Sequence, residues 1–144
     1  MSEHLDQQGI LHGMVRFNLG LMSMPVHWRI WVGVLVVFNL LIPLFFITHL
    51  EAQLAIGALL AAGILMAWLT AYSGFTRLLG LGHLVFWVPL LGYLWSRLED
   101  WPVEEPLGLW LRVLLIINFI SLIIDAIDVM RYFKGERGET VNTD

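Results

Sequence analysis

No cysteine occurs in the 144 residues, which excludes a disulfide, a thiolate nucleophile, a cysteine-held cluster and thioether-attached haem. Charge is scarce as well: Asp, Glu, Lys and Arg make up 14% of the chain, where soluble domains carry about 25%. Motifs of the common enzyme classes are missing. No G-x-S-x-G, H-E-x-x-H or P-loop pattern occurs, and the Gly80-Leu81-Gly82-His83 stretch lacks the strand context and further glycines of a nucleotide loop. The opening MSEHLDQQG is acidic and polar, without the basic start and short apolar core of a cleaved signal peptide. Met1 is followed by Ser2 rather than the glycine that myristoylation needs, and there is no C-terminal prenylation cysteine, so membrane attachment is expected from spanning segments.

What fills the chain is apolar. Hydrophobic residues make up 58% and the mean hydropathy is +0.77. They gather into four blocks long enough to cross a bilayer as helices of about 20 residues. The expected fold is all-α, an integral-membrane four-helix up-down bundle with spans at about 27–47, 51–72, 78–98 and 107–132. Residues 1–26 form an arm whose Ile10, Leu11, Met14, Val15, Leu19 and Met22 recur at helical spacing, predicting an amphipathic helix on the membrane surface, although Gly9, Gly13 and Gly20 interrupt it. Residues 133–144 are a polar tail whose last seven or so residues are expected to be poorly ordered.

Punctuation within the spans is specific. Pro43 removes a backbone donor and disturbs the carbonyl of Asn39, predicting a kink near mid-membrane. Thr48 and Glu51 have the capping-box pattern for the second span. In that span Gly63, Ala67 and Ala71 recur every fourth residue, a helix-packing stripe that permits close backbone approach. Pro89 predicts a bend in the third span. Trp28, Trp31, Trp95, Trp101 and Trp110 fit interfacial belts, leaving Trp68 and Trp87 for deeper packing.

Orientation follows from basic residues. A cytoplasmic N-terminus puts Arg16, Arg29, Arg77, Arg131, Lys134 and Arg137 inside and only Arg97 and Arg112 outside. Both termini are therefore expected in the cytoplasm and the chain in the inner, plasma, membrane.

The chemistry concentrates in the last span, where Asn118, Ser121, Asp125 and Asp128 fall within roughly 80° of one helix face. Intramembrane polar groups face other helices or a water-filled cavity. Counting about 1.5 Å per residue sets Asn39 and Asn118 near the midplane and Asp125 and His83 in the cytoplasmic half, with Arg77 near Asp128 below them. Arg112 lies in the opposite leaflet and is expected to snorkel toward the acidic third loop rather than pair with Asp125.

Two functions suit this pattern. In the first, the stripe acts as glue in a non-enzymatic bundle that works as a homo-oligomer or as a small subunit of a membrane complex. In the alternative, Asp125, His83, Asp128, Asn118, Ser121 and Asn39 form a proton or ion pathway of a small channel or transporter. The stripe covers only half the bilayer, which argues against a channel within one protomer. A haem-binding electron carrier is the weakest alternative, because His27 and His83 do not form paired ligands inside facing spans. No cofactor, metal or nucleic acid is expected; the partner is the lipid bilayer.

Overall fold

A computed structural model describes the backbone of residues 2–140 and the side chains of residues 9–140. All regular structure among them is helical. Helix α1 (Ser2–Ser23) is followed by α2 (Val26–Leu44), α3 (Leu50–Ser73), α4 (Gly80–Ser96, entered through a 3-10 turn at Arg77–Leu79) and α5 (Pro106–Phe133). The stretches Val26–Leu44, Leu50–Ser73, Arg77–Ser96 and Pro106–Phe133 are each long and apolar enough to cross a membrane. The protein is a multi-pass helical membrane protein. Pro106 sits in the first turn of α5, where its missing N–H is not needed.

Connections are short, so successive spanning helices run antiparallel. Cross-links mark the two ends of the bundle. At one, the Arg97 end, Glu51 of α3 meets Arg97 and Trp101 after α4; at the other, the Arg77 end, Arg77 before α4 meets Asp128 of α5. The Arg97 half is filled by a dry core in which Trp87, Leu94, Leu111 and Leu114 are fully buried, with Leu35, Leu107 and Trp110 around them.

Pro43 has a different consequence from a simple kink. Residues Val37–Leu41 form a π-helical turn just ahead of it, with the Ile42 N–H reaching back to the Val37 carbonyl. Side chains donate to backbone carbonyls beside this turn. Asn39 Nδ2 donates to the Leu35 carbonyl at 2.9 Å, and Trp110 Nε1 donates to the Phe38 carbonyl at 2.9 Å. Trp110, expected at the interface, is buried for that reason. Trp68, expected deep, is 43% exposed beside Tyr72.

The π turn also anchors α2 to α5. Asn39 and Asn118, both fully buried, exchange hydrogen bonds: Asn39 Nδ2 donates to Asn118 Oδ1 at 2.9 Å and Asn118 Nδ2 donates to Asn39 Oδ1 at 2.8 Å. Between Pro25 and this anchor α2 stands off its neighbours. Only 17% of its spanning window is buried, against 44% for α5.

One local expectation changes. The Thr48–Glu51 capping box does not form: His49 is the N-cap of α3 without a side-chain bond, and Glu51 is buried, accepting from Arg97 Nε at 3.1 Å and Trp101 Nε1 at 3.2 Å. A cation and an indole there outcompete the backbone. Arg112 does turn toward the third loop, but it donates to the Trp101 and Gly108 carbonyls at 2.8 and 2.9 Å rather than to an acid. Helix α4 continues through Pro89.

Helix α1 docks through its glycines, Gly13 against α3 and Gly20 against Phe75 just after it. A Cβ on Gly13 would strike the Ala67 carbonyl and the Ala71 side chain, and one on Gly20 would strike the Phe75 ring. The glycines thus serve as contact points, while Leu11, Val15, Leu19 and Met22 face outward. The tail also docks. Glu139 accepts from the Phe75 N–H at 3.1 Å and from Arg16 at 2.8 Å, and Thr140 N–H donates to the Phe75 carbonyl at 2.9 Å. Residues 141–144 of the tail expected to be poorly ordered lie outside the described residues.

The asparagine pair yields a measurable expectation. Asn39→Ala and Asn118→Ala should each lower stability in detergent by about 1 kcal/mol. The double variant should lose little more than either single one, because each truncation already orphans the partner amide. Reversible unfolding of the four proteins in a double-mutant cycle measures the coupling directly; strict additivity would show that the pair contributes nothing.

Candidate functional site

Below the asparagine pair, the polar face of α5 points into its own bundle. Asn118 and Ser121 are buried, and Ser121, Asp125 and Asp128 line a cavity of about 730 Å³ that opens toward the Arg77 end. The opposite wall is the stand-off half of α2, with Trp28, Trp31, Val32 and Leu35. Gly63 and Met66 of α3, and Gly80 and His83 of α4, complete the enclosure. Five of the six residues expected in a polar pathway therefore meet around one space or its roof, and the sixth, Asn39, completes the roof by pairing with Asn118.

The centre of the site is a histidine–aspartate pair. His83 Nδ1 lies 2.8 Å from Asp125 Oδ2, with side-chain exposures of 15% and 16%. The imidazole is stacked on the Trp87 indole at 4.0 Å between centroids with a 12° interplanar angle. That stack is legible in the sequence as an i, i+4 pair, and its effect is to hold the ring plane so that Nδ1 faces the carboxylate. The proton in the bond can sit on either partner. An ionised Asp125 accepts from Nδ1–H, and a protonated Asp125 donates to neutral Nδ1. Trp87 itself is fully buried, and its Nε1 has no hydrogen-bond acceptor.

Two glycines place the histidine. A Cβ on Gly80 would stand 2.8 Å from the Asp125 carbonyl oxygen, so α4 and α5 cross in close contact one turn before His83. A Cβ on Gly82 would stand 3.0 Å from the Ala62 carbonyl oxygen, which brings the same turn against α3. The Gly80-Leu81-Gly82-His83 stretch, which fails as a nucleotide loop, is thus a packing device that wedges the histidine between two helices.

Asp128 is committed elsewhere. It forms an ion pair with Arg77, and Arg77 Nε also lies 3.3 Å from Glu136, whose same oxygen accepts from Arg131 Nε at 2.7 Å. This chain of charges lines the mouth of the cavity and joins the α3–α4 connection to the C-terminal turn. Glu136 does not stand out in the sequence, because its role depends on the tail folding back after Gly135.

The helix-packing stripe divides between two tasks. Ala67 and Ala71 receive α1 at Gly13, whereas Gly63 meets no neighbour and opens into the cavity. Among the described residues no three His, Asp or Glu side chains converge as a metal site requires.

Gly80→Leu should separate α4 from α5 and lower stability by about 1–3 kcal/mol through overpacking. Imidazole nitrogen NMR of His83 should then lose the shift and coupling of the Asp125 hydrogen bond. Gly92→Ala, at a position open on all sides, is the control and should leave that signal intact. A Gly80→Leu spectrum identical to the parent would mean that the glycine does not position the pair.

No family model matches the chain, and no curated protein or solved structure resembles it significantly, so the site's own geometry carries the functional reading.

Proposed function

We propose that this is a small membrane carrier that binds a lipid-soluble molecule in the cavity beside α2 and couples its passage to protonation of the His83–Asp125 pair. The single observation behind this reading is the cavity itself. It has about 730 Å³ of space, within the roughly 300–1,000 Å³ of small-molecule sites, and apolar walls that end on a proton-sharing pair. The gap along α2 supplies a lateral route from the bilayer to that pair. Orientation by the positive-inside bias makes the Arg77 end cytoplasmic, because six of the eight Lys and Arg residues belong to it. The outward apolar stripe of α1 is then in contact with lipid of the inner leaflet.

A channel within one protomer fits less well. The amide pair bridges α2 and α5 at mid-bilayer, and a leucine and tryptophan core fills the half beyond it. Assembly into an oligomer or larger complex would draw on the small-residue stripe, but α1 of the same chain takes up Ala67 and Ala71. A carrier that opens to the two faces in turn needs only one accessible side at a time.

Proteoliposomes with a trapped pH dye should show proton movement when challenged with at least one of three lipophilic probes: ethidium, an anilinonaphthalene sulfonate or Nile red. Asp125→Asn should cut the coupled flux at least about tenfold, a loss typical of removing the residue that carries the proton. Asp128→Asn should act mainly through the mouth and reduce flux less. Unchanged coupled flux in Asp125→Asn removes the pair from the mechanism and the carrier reading with it.

A further inference from the structure

We infer that the cavity is built for a lipophilic organic cation, which takes the place of a proton on the His83–Asp125 pair. This inference rests on the carrier reading and names its substrate class. It follows from which charges in the cavity are already matched. Arg77 is held by Asp128 and Glu136, and Arg131 by Glu136. Two guanidiniums therefore face two carboxylates at the mouth, and that cluster is neutral. The remaining ionisable groups on the cavity wall are His83 and Asp125.

Each element around Asp125 brings a definite set of groups. His83 comes from α4, Arg77 from the turn before it, and Asp128 from its own helix, with Arg131 further along the same wall; among the described residues, α1, α2 and α3 bring no ionisable side chain to the cavity. An anionic ligand would meet a carboxylate and two guanidiniums that are both committed. It would have to break an ion pair to be held. A cation meets the one carboxylate whose partner can leave as a neutral imidazole.

The walls point the same way. Phe17, Trp28, Trp31 and Phe75 line the cavity, and the two tryptophans lie three residues apart on α2, across from Asp125. Indole faces attract cations through their quadrupole, and more strongly when water is excluded. Carboxylates inside membranes commonly serve as counter-ions for protons or ligand cations. The exchange balances: one cation enters, one proton leaves the pair for water at the Arg77 end, and the site's net charge is unchanged. On release of the cation a proton returns.

The test uses full-length protein in detergent and two isosteric ions of opposite charge, tetraphenylphosphonium and tetraphenylborate. Binding is measured by equilibrium dialysis above the background of Asp125→Asn, and proton release in weak buffer. Tetraphenylphosphonium should bind, release close to one proton per ion, and bind more tightly as pH rises, by up to about tenfold per unit for a one-proton exchange. Tetraphenylborate should not bind above background. Asp125→Glu should keep cation binding, which separates a lost charge from a lost fold, and Trp31→Leu should weaken it by roughly threefold to tenfold. Asp125-dependent binding of tetraphenylborate with proton uptake would overturn the cation while leaving a proton-coupled carrier standing. Binding of neither ion above background overturns this inference. If the proteoliposome flux is also independent of Asp125, the carrier reading fails separately.

Discussion

The structure depends on two asparagines satisfying each other where water cannot. Away from the headgroups a backbone or side-chain amide without a partner costs several kcal/mol, so matching two such amides at the centre of the spans is a strong constraint. Asn39 and Asn118 do this reciprocally, and Asn39 has a second donor left for the Leu35 carbonyl one turn earlier. Pro43 has no N–H to give to the turn before it, and Trp110 donates to the Phe38 carbonyl there. The bond joins α2 to α5 at one level, and the bundle divides there. On the Arg97 side the helices close around leucine and tryptophan; on the Arg77 side α2 is free to stand away. The cavity is what lies between a helix held at one point and a bundle held along its length.

Within the open half, close helix approach and ring stacking decide where the acid–base pair sits. Glycine at 80 lets α4 reach the α5 backbone, and glycine at 82 lets the same turn reach α3. His83 then has little choice of direction, because Trp87 covers its face and Asp125 takes its Nδ1. The mouth is organised by a different kind of contact. Arg77, Asp128, Glu136 and Arg131 form a charge network exposed to solvent, in which each single pair is worth little and the network fixes geometry more than stability. Glu139, reaching Arg16 and the Phe75 amide, ties the N-terminal helix, the α3–α4 connection and the tail at one place.

The four membrane-capable helices were legible because hydropathy over some twenty residues is a strong and local signal, and the structure ends them within a few residues of where composition does. The polar stripe was legible too, since helical periodicity puts Asn118, Ser121, Asp125 and Asp128 on one face whatever the neighbours are. Partnerships that depend on rotation between helices were less so. Equal depth set His83 level with Asp125 and Asn39 level with Asn118, but depth alone does not say which side chains turn toward each other. Local motifs failed where a distant group competed, as when Arg97 and Trp101 drew Glu51 away from a cap. Gly13 and Gly20 are hard to read for a further reason. A glycine in a helix looks like a defect until the neighbour that needs the space is known, here the α3 backbone at Ala67 for Gly13 and the Phe75 ring after α3 for Gly20.

Neutrality is the constraint that connects this architecture to its proposed work. A lone charge near the middle of a bilayer is costly by any scale, and the cavity ends close to that depth. In the proposed carrier, His83 and Asp125, 2.8 Å apart, meet the constraint by sharing a proton, so that the site can stand empty of ligand without holding an unbalanced ion. Any charged substrate has to respect the same condition. Exchanging a proton for a cation leaves the sum of charges as it was, and the displaced proton has a short way to the solvent past Arg77 and Asp128. Admitting an anion would require a second positive charge, and the guanidiniums that would have to supply it already hold the mouth together. On the proposed reading, the geometry that keeps an acidic group tolerable inside the membrane also selects the sign of what can replace its proton.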